Sequence, residues 1–142
     1  MAILDKSKNN FVIDRDESKF IGLKLPLVLD NGEIASTRTT MEAVKQNVLN
    51  LCSTERGERL MQPNLGIAIK KYLFEQFDEN LVIQIQNTIA DTMEYWMPFV
   101  KINDITVNMS DIEPNTMNIS VNFSLEKDPN TQESVQITVG EL

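Results

Sequence analysis

The spacing of apolar residues changes at Pro98, and this change limits the possible folds more than any other feature of the sequence. Beyond it, three runs repeat at every second residue. The first holds Val100 and Ile102, then Ile105, Val107 and Met109. The second holds Met117, Ile119, Val121, Phe123 and Leu125. In the third, Val135, Ile137 and Val139 alternate with Ser134, Gln136 and Thr138. A period of two turns one face of a strand to the core and the other to water. The slip in spacing near Asn103-Asp104 predicts a bulge. Asp111 to Asn115, with Glu113-Pro114-Asn115, and Asp128-Pro129-Asn130 read as turns. Connections this short make hairpins rather than crossovers, so an antiparallel meander is expected.

Before Pro98 the spacing is helical. Val82, Ile85, Ile89, Met93 and Trp96 define a stripe on a helix over 80–97, capped by Asp78 or Asn80. Pro98 ends it by disfavouring helical geometry at the preceding residue. Met41, Val44, Val48, Leu51 and Cys52 define an earlier helix that closes near Thr54. Thr39 is its expected N-cap, with Glu42 completing a capping box. Residues 54–66 form an irregular connection, and a short helix is expected over 67–74. Upstream, Leu23, Leu25, Leu27 and Leu29 alternate around Pro26. Asp30-Asn31-Gly32 predicts the turn of a loose hairpin. The expected fold is α+β. Two main helices and a short one pack on a C-terminal three-stranded antiparallel meander, preceded by an extended or hairpin segment. Residues 1–38 form that extended segment, read as partly mobile or partner-bound. Residues 39–142 form a single α+β domain.

Composition removes whole classes of chemistry. Among 142 residues there is no histidine and one cysteine, Cys52. Ser-His-Asp and Cys-His catalysis, histidine-containing zinc sites and Cys₄ metal sites are excluded. Cys52 has no disulfide partner in the chain, which suits a reducing compartment, and it reads as a small buried hydrophobe on the first helix. Twenty-one carboxylates leave a glycosidase pair conceivable. Glu55 and Glu58, flanking Gly57, are the obvious candidates, and solvated or Arg-paired carboxylates are the simpler reading. Asp111 and Glu113 lack the spacing of a calcium loop. No catalytic, cofactor-binding or metal-ligating residue is therefore assigned.

Charge is unevenly spread. Residues 1–71 carry 11 basic and 9 acidic side chains, whereas residues 72–142 carry 2 and 12. An acidic half repels phosphate backbones, so nucleic acid is not an expected partner. No apolar run approaches the ~20 residues of a membrane span. Partner surfaces are expected in two places. Tyr95, Trp96, Met97 and Phe99 cannot all face one way around a helix end. The run Ser134, Val135, Gln136, Ile137, Thr138 and Val139 contains neither lysine nor proline. Such an edge either pairs with another chain or is covered by the N-terminal extended segment.

The segment from Thr54 to Gly66 carries a resemblance. Thr54, Gly57, Arg59, Pro63 and Gly66 match the T-x-x-G-x-R-x-x-x-P-x-F-G signature of the baseplate wedge and sheath-initiator family of contractile-tailed phages, which has relatives in type VI secretion systems. Leu65 stands in place of the usual phenylalanine. Leu73-Phe74-Glu75 matches the family's L-F-E, and the similarity spans roughly 39–139. Many members carry Glu-Pro-Arg after the long helix, where this chain has Met97-Pro98-Phe99. Only Pro98 survives, and Phe99 and Trp96 would suit an apolar replacement for the charged contacts.

The resemblance implies a structural, non-enzymatic role with one copy in each wedge of a sixfold baseplate. The partners it implies are the tail sheath protein and neighbouring wedge proteins, with neither nucleic acid nor membrane. The place it implies is the virion tail baseplate, assembled in the host cytoplasm. Sheath would start on the edge strand Ser134–Val139 by β-augmentation. Some family members carry a lysozyme-like label, so a baseplate-associated peptidoglycan hydrolase is the alternative.

Overall fold

In the computed structural model, residues 19–24, 26–110 and 115–140 are described, and the chain divides into two units, Met1–Asn47 and Val48–Leu142. Sequence expectations for residues 1–18, Leu25 and 111–114 lie outside the described residues.

The N-terminal unit is a nested hairpin. Strand β1 (Gly22–Leu23) pairs antiparallel with β4 (Ser36–Thr37), and β2 (Leu29–Asp30) pairs with β3 (Glu33–Ile34). Asn31 and Gly32, with φ of 51° and 87°, link β2 to β3. Two successive positive φ values match a type I′ turn, which is why an Asn-Gly pair stands there. Pro26 falls in the gap between the two ladders, where no strand bond asks for its missing N–H. Leu23, Leu27, Val28, Leu29 and Ile34 are exposed.

Helix α1 (Thr40–Ser53) starts in this unit and ends in the next. The Glu42 N–H donates to Thr39 Oγ1 at 3.2 Å. The Glu42 carboxylate accepts from the Arg38 N–H, one residue earlier than a capping box predicts. Val44, Val48, Leu51 and Cys52 are buried, as their spacing required, while Met41 at the start of the stripe is only half-buried.

In the second unit a 3-10 helix (Lys70–Phe74) precedes α2 (Glu79–Trp96). The expected short helix is thus confined to its second half. Asp78 caps α2, its carboxylate accepting from the Leu81 N–H at 2.8 Å. The buried row is Leu81, Ile85, Ile89 and Met93, followed by Met97 just past the helix. Val82 and Trp96, expected inward, are only half-buried. Neighbouring i,i+4 rows lie 100° apart, and two apolar residues side by side do not decide which row turns inward.

Strands β5 (Val100–Met109), β6 (Met117–Leu125) and β7 (Asp128–Val139) form one antiparallel sheet in the order β5-β6-β7. The protein is therefore α+β, with two helices and a C-terminal meander. The expected bulge is present: Ile102 pairs with Phe123 and Asp104 with Asn122, leaving Asn103 unpaired. The last turn is shifted. Leu125 pairs with Asp128, so Glu126-Lys127 forms the turn, and β7 starts earlier than the alternation indicated. Pairing resumes at Ser124 and Gln132, so Pro129 lies in an irregularity that tolerates its missing N–H. Met117, Ile119, Val121 and Phe123 line the apolar face, and α2 lies against β5. These residues, with Ile67, Ile69, Ile85, Ile89 and Met93, supply the core of this unit.

Candidate functional site

The residues that matched the family signature form one self-bonded loop between α1 and the 3-10 helix. Thr54 Oγ1 donates to the Asn50 carbonyl at 2.7 Å, and the Thr54 carbonyl accepts from the Ile67 N–H at 2.8 Å. Gly57 and Gly66 have φ of 92° and 110°. A Cβ on Gly57 would meet open space, whereas one on Gly66 would collide with the Thr54 carbonyl oxygen. The Gly57 N–H donates to the Pro63 carbonyl at 2.8 Å and closes the loop. All five signature positions therefore have a backbone role, Arg59 through its carbonyl, which accepts from the Gln62 N–H at 3.2 Å. Arg59 is itself exposed at the loop tip.

The carboxylate candidates belong to the same scaffold. Glu55 Oε1 accepts from the Lys70 N–H at the start of the 3-10 helix, at 3.2 Å. Glu58 Oε2 accepts from the Glu55 N–H at 3.1 Å. Cys52 is buried in α1, and desolvation pushes its thiol up to about 12, far from the range of a nucleophile. Among the described residues no group of three or more His, Cys, Asp or Glu could hold a metal ion, and no helix is long and apolar enough to cross a membrane. Asp111 and Glu113 lie outside the described residues.

Leu73-Phe74-Glu75 divides its work. Leu73 is buried, Phe74 is exposed, and the Glu75 N–H donates to the Tyr72 carbonyl at 3.2 Å to close the 3-10 helix. The Tyr72 hydroxyl lies 3.1 Å from Thr88 Oγ1 on α2, and Lys71 Nζ sits 4.5 Å from the centre of the Tyr72 ring. Beside them a cleft of ≈ 400 Å³ runs between the loop and the outer face of α2, with Arg56, Lys71, Asp91, Tyr95 and Trp96 in its lining. The Tyr95 and Trp96 rings meet edge to face, their centres 5.1 Å apart. Tyr95 is 77% exposed, Phe99 is partly exposed, and Met97 is buried. The crowding of aromatics at the helix end thus resolves with Tyr95 and Phe99 outward and Met97 inward. Pro98 is exposed beside them.

Strand β7 is an edge strand, paired only with β6 among the described residues. Val135, Ile137 and Val139 are buried, while Ser134, Gln136 and Thr138 face water. Strands β1 to β4 pair among themselves. The opposite edge is attended by α2, where Gln86 Nε2 donates to the Ile105 carbonyl at 2.7 Å.

Sequence reasoning missed Leu60 and Met61. Both stand at the tip of the signature loop and are almost fully exposed. The available signal was their position between Gly57 and Pro63, in a segment too short and irregular to bury them.

The family model for Baseplate wedge protein gp25 matches residues 38–130. A candidate tail lysozyme of Geobacter sulfurreducens shares the fold at a TM-score of 0.63 and 18% identity, over 80% of this chain and 95% of its own. A chain of the sixfold-symmetrised baseplate of the anti-feeding prophage is similar at a TM-score of 0.63 and 23% identity, over 72% and 82%. A chain of the type VI secretion system baseplate complex follows at 0.57 and 13%, over 70% and 92%. No curated protein sequence matches the chain.

Proposed function

This chain belongs to the Baseplate wedge protein gp25 family, and from that premise we propose that it starts the tail sheath by offering β7 to the first sheath ring. The chain is a baseplate wedge component of a contractile-tail machine. The carrying observation is the asymmetry of its sheet. The β5 edge is bonded to α2 through Gln86, whereas Ser134–Val139 lies on an edge with no strand neighbour among the described residues. Between Pro129 and Gly140 the only charged residue is Glu133. A long edge free of lysine is a template for another chain's strand. Main-chain hydrogen bonds would supply the affinity, and the alternating side chains the register.

In this reading one copy stands in each wedge of a sixfold baseplate, bound to neighbouring wedge proteins and to sheath, without nucleic acid or membrane. Assembly takes place in the host cytoplasm and the finished protein resides in the virion tail. Residues 39–142 act as the wedge domain, and residues 1–38 as an extended segment held by partners. Trp96 and Phe99, beside Pro98, give an apolar wedge contact where relatives carry charged residues. The signature residues Thr54, Gly57, Pro63 and Gly66 hold the loop, and Leu73, Phe74 and Glu75 its continuation.

A second reading, a peptidoglycan hydrolase, is favoured by the shared fold with the candidate tail lysozyme. Against it, Glu55 and Glu58 each accept a backbone N–H and so serve the loop. We therefore assign no enzymatic activity.

The test is sheath co-assembly on a wedge reconstituted from the cognate proteins. Ile137 is buried, so substitution there would disturb the core. Ser134→Lys/Gln136→Lys instead places charges on the exposed side of β7, where they discourage strand addition. Loss of sheath nucleation with normal wedge assembly is the expected result. Equal nucleation by wild type and variant would move the sheath contact away from β7.

A further inference from the structure

The signature loop carries a feature that its backbone role leaves unexplained. Leu60 and Met61 are 95% and 94% exposed. They are not on a slack segment. The Gly57 N–H holds the Pro63 carbonyl at 2.8 Å, the Gln62 N–H holds the Arg59 carbonyl at 3.2 Å, and the Leu65 N–H holds the Gln62 carbonyl at 3.1 Å. A pre-shaped loop that presents two large apolar side chains to water has little left to order when a partner covers them.

Charge says what kind of partner fits. Residues 54–71 include Arg56, Arg59, Lys70 and Lys71, and their only carboxylates, Glu55 and Glu58, accept backbone N–H groups. Arg59 is exposed and pairs with no carboxylate among the described residues. Residues 72–142 carry 2 basic and 12 acidic side chains. An acidic partner surface is repelled by most of this unit and drawn to the loop.

We propose that Arg59-Leu60-Met61 is a docking knob for a neighbouring wedge protein, seated in an apolar pocket rimmed by carboxylates. Leu60 and Met61 supply the buried area, and Arg59 pairs with the rim. The proposal rests on membership of the baseplate but not on sheath docking at β7, which uses a different element.

The experiment places a photo-crosslinking amino acid at Leu60 in a wedge reconstituted from the cognate wedge proteins. In parallel it compares Leu60→Ser/Met61→Ser and Arg59→Glu with wild type. All three side chains are exposed, and thermal melts confirm that the variants fold. The crosslink is expected on a wedge protein, at apolar residues flanked by Asp or Glu. The double variant is expected to enter the wedge about tenfold more weakly, and Arg59→Glu to lose more at low salt than at high salt. Full incorporation of the double variant overturns the proposal, as does a crosslink confined to sheath or to a second copy of this chain. If Ser134→Lys/Gln136→Lys blocks sheath while the double variant incorporates fully, the sheath reading stands and the knob falls. A wild-type chain that stays out of the wedge overturns both.

Discussion

At the scale of single residues, Gly66 illustrates how a signature position becomes a physical requirement. Its φ of 110° suits glycine, and a Cβ would strike the Thr54 carbonyl oxygen, itself bonded to the Ile67 N–H. Gly57 shares the positive φ but faces open space. Gly66→Ala is therefore expected to lower stability by about 3 kcal/mol, and Gly57→Ala by about 1 kcal/mol. Urea denaturation of the two variants measures the difference, and equal losses would show that the collision is relieved by backbone movement. The same loop shows what one position conceals. The sequence marks Arg59 as part of a pattern, yet its neighbours Leu60 and Met61 are the residues whose exposure asks for an explanation. A pattern of identities carries no information about how far a side chain stands from the rest of the molecule.

At the scale of elements, caps and periods were largely legible. Asp78 begins α2 and Pro98 follows its end, both for local reasons: one carboxylate satisfies the Leu81 N–H, and one ring forbids the helix to continue. Asp78→Ala should cost about 1 kcal/mol, read as a lower melting temperature with unchanged helical content in the native state. A melt that does not move would assign the cap to the backbone alone. The three strands were legible as well, because alternation reports one wet and one dry face. Two details were not. The buried row on α2 runs through Leu81 rather than Val82, because the sheet beneath it, not the helix, selects among overlapping rows. The β6–β7 turn falls at Glu126-Lys127, one pair before the Asp128-Pro129-Asn130 signal. Turn propensity there yields to ladder register, which pairs Leu125 with Asp128.

At the scale of the whole molecule, the question is whether the shared fold brings an activity with it. A fold hosts many functions, and activity has to be argued from a site. Here the carboxylates nearest the signature are engaged by backbone N–H groups, and the cleft beside α2 is lined by Arg56, Lys71 and one acid, Asp91. Purified protein incubated with peptidoglycan is expected to release no soluble fragments. Glu58→Gln is expected to change nothing except loop stability. Turnover abolished by that substitution would replace the structural reading with a hydrolytic one.

The sequence alone set the α+β class, the three-stranded meander, a bulge near Asn103-Asp104, the Thr39 cap of α1 and the family, through its signature loop. Each of these depends on spacing along the chain, and spacing is local. Which helix row is buried, which sheet edge α2 occupies and which loop side chains stand in solvent depended on the tertiary structure. Those outcomes are settled by contacts between residues far apart in sequence, where packing decides among alternatives that local patterns leave equal.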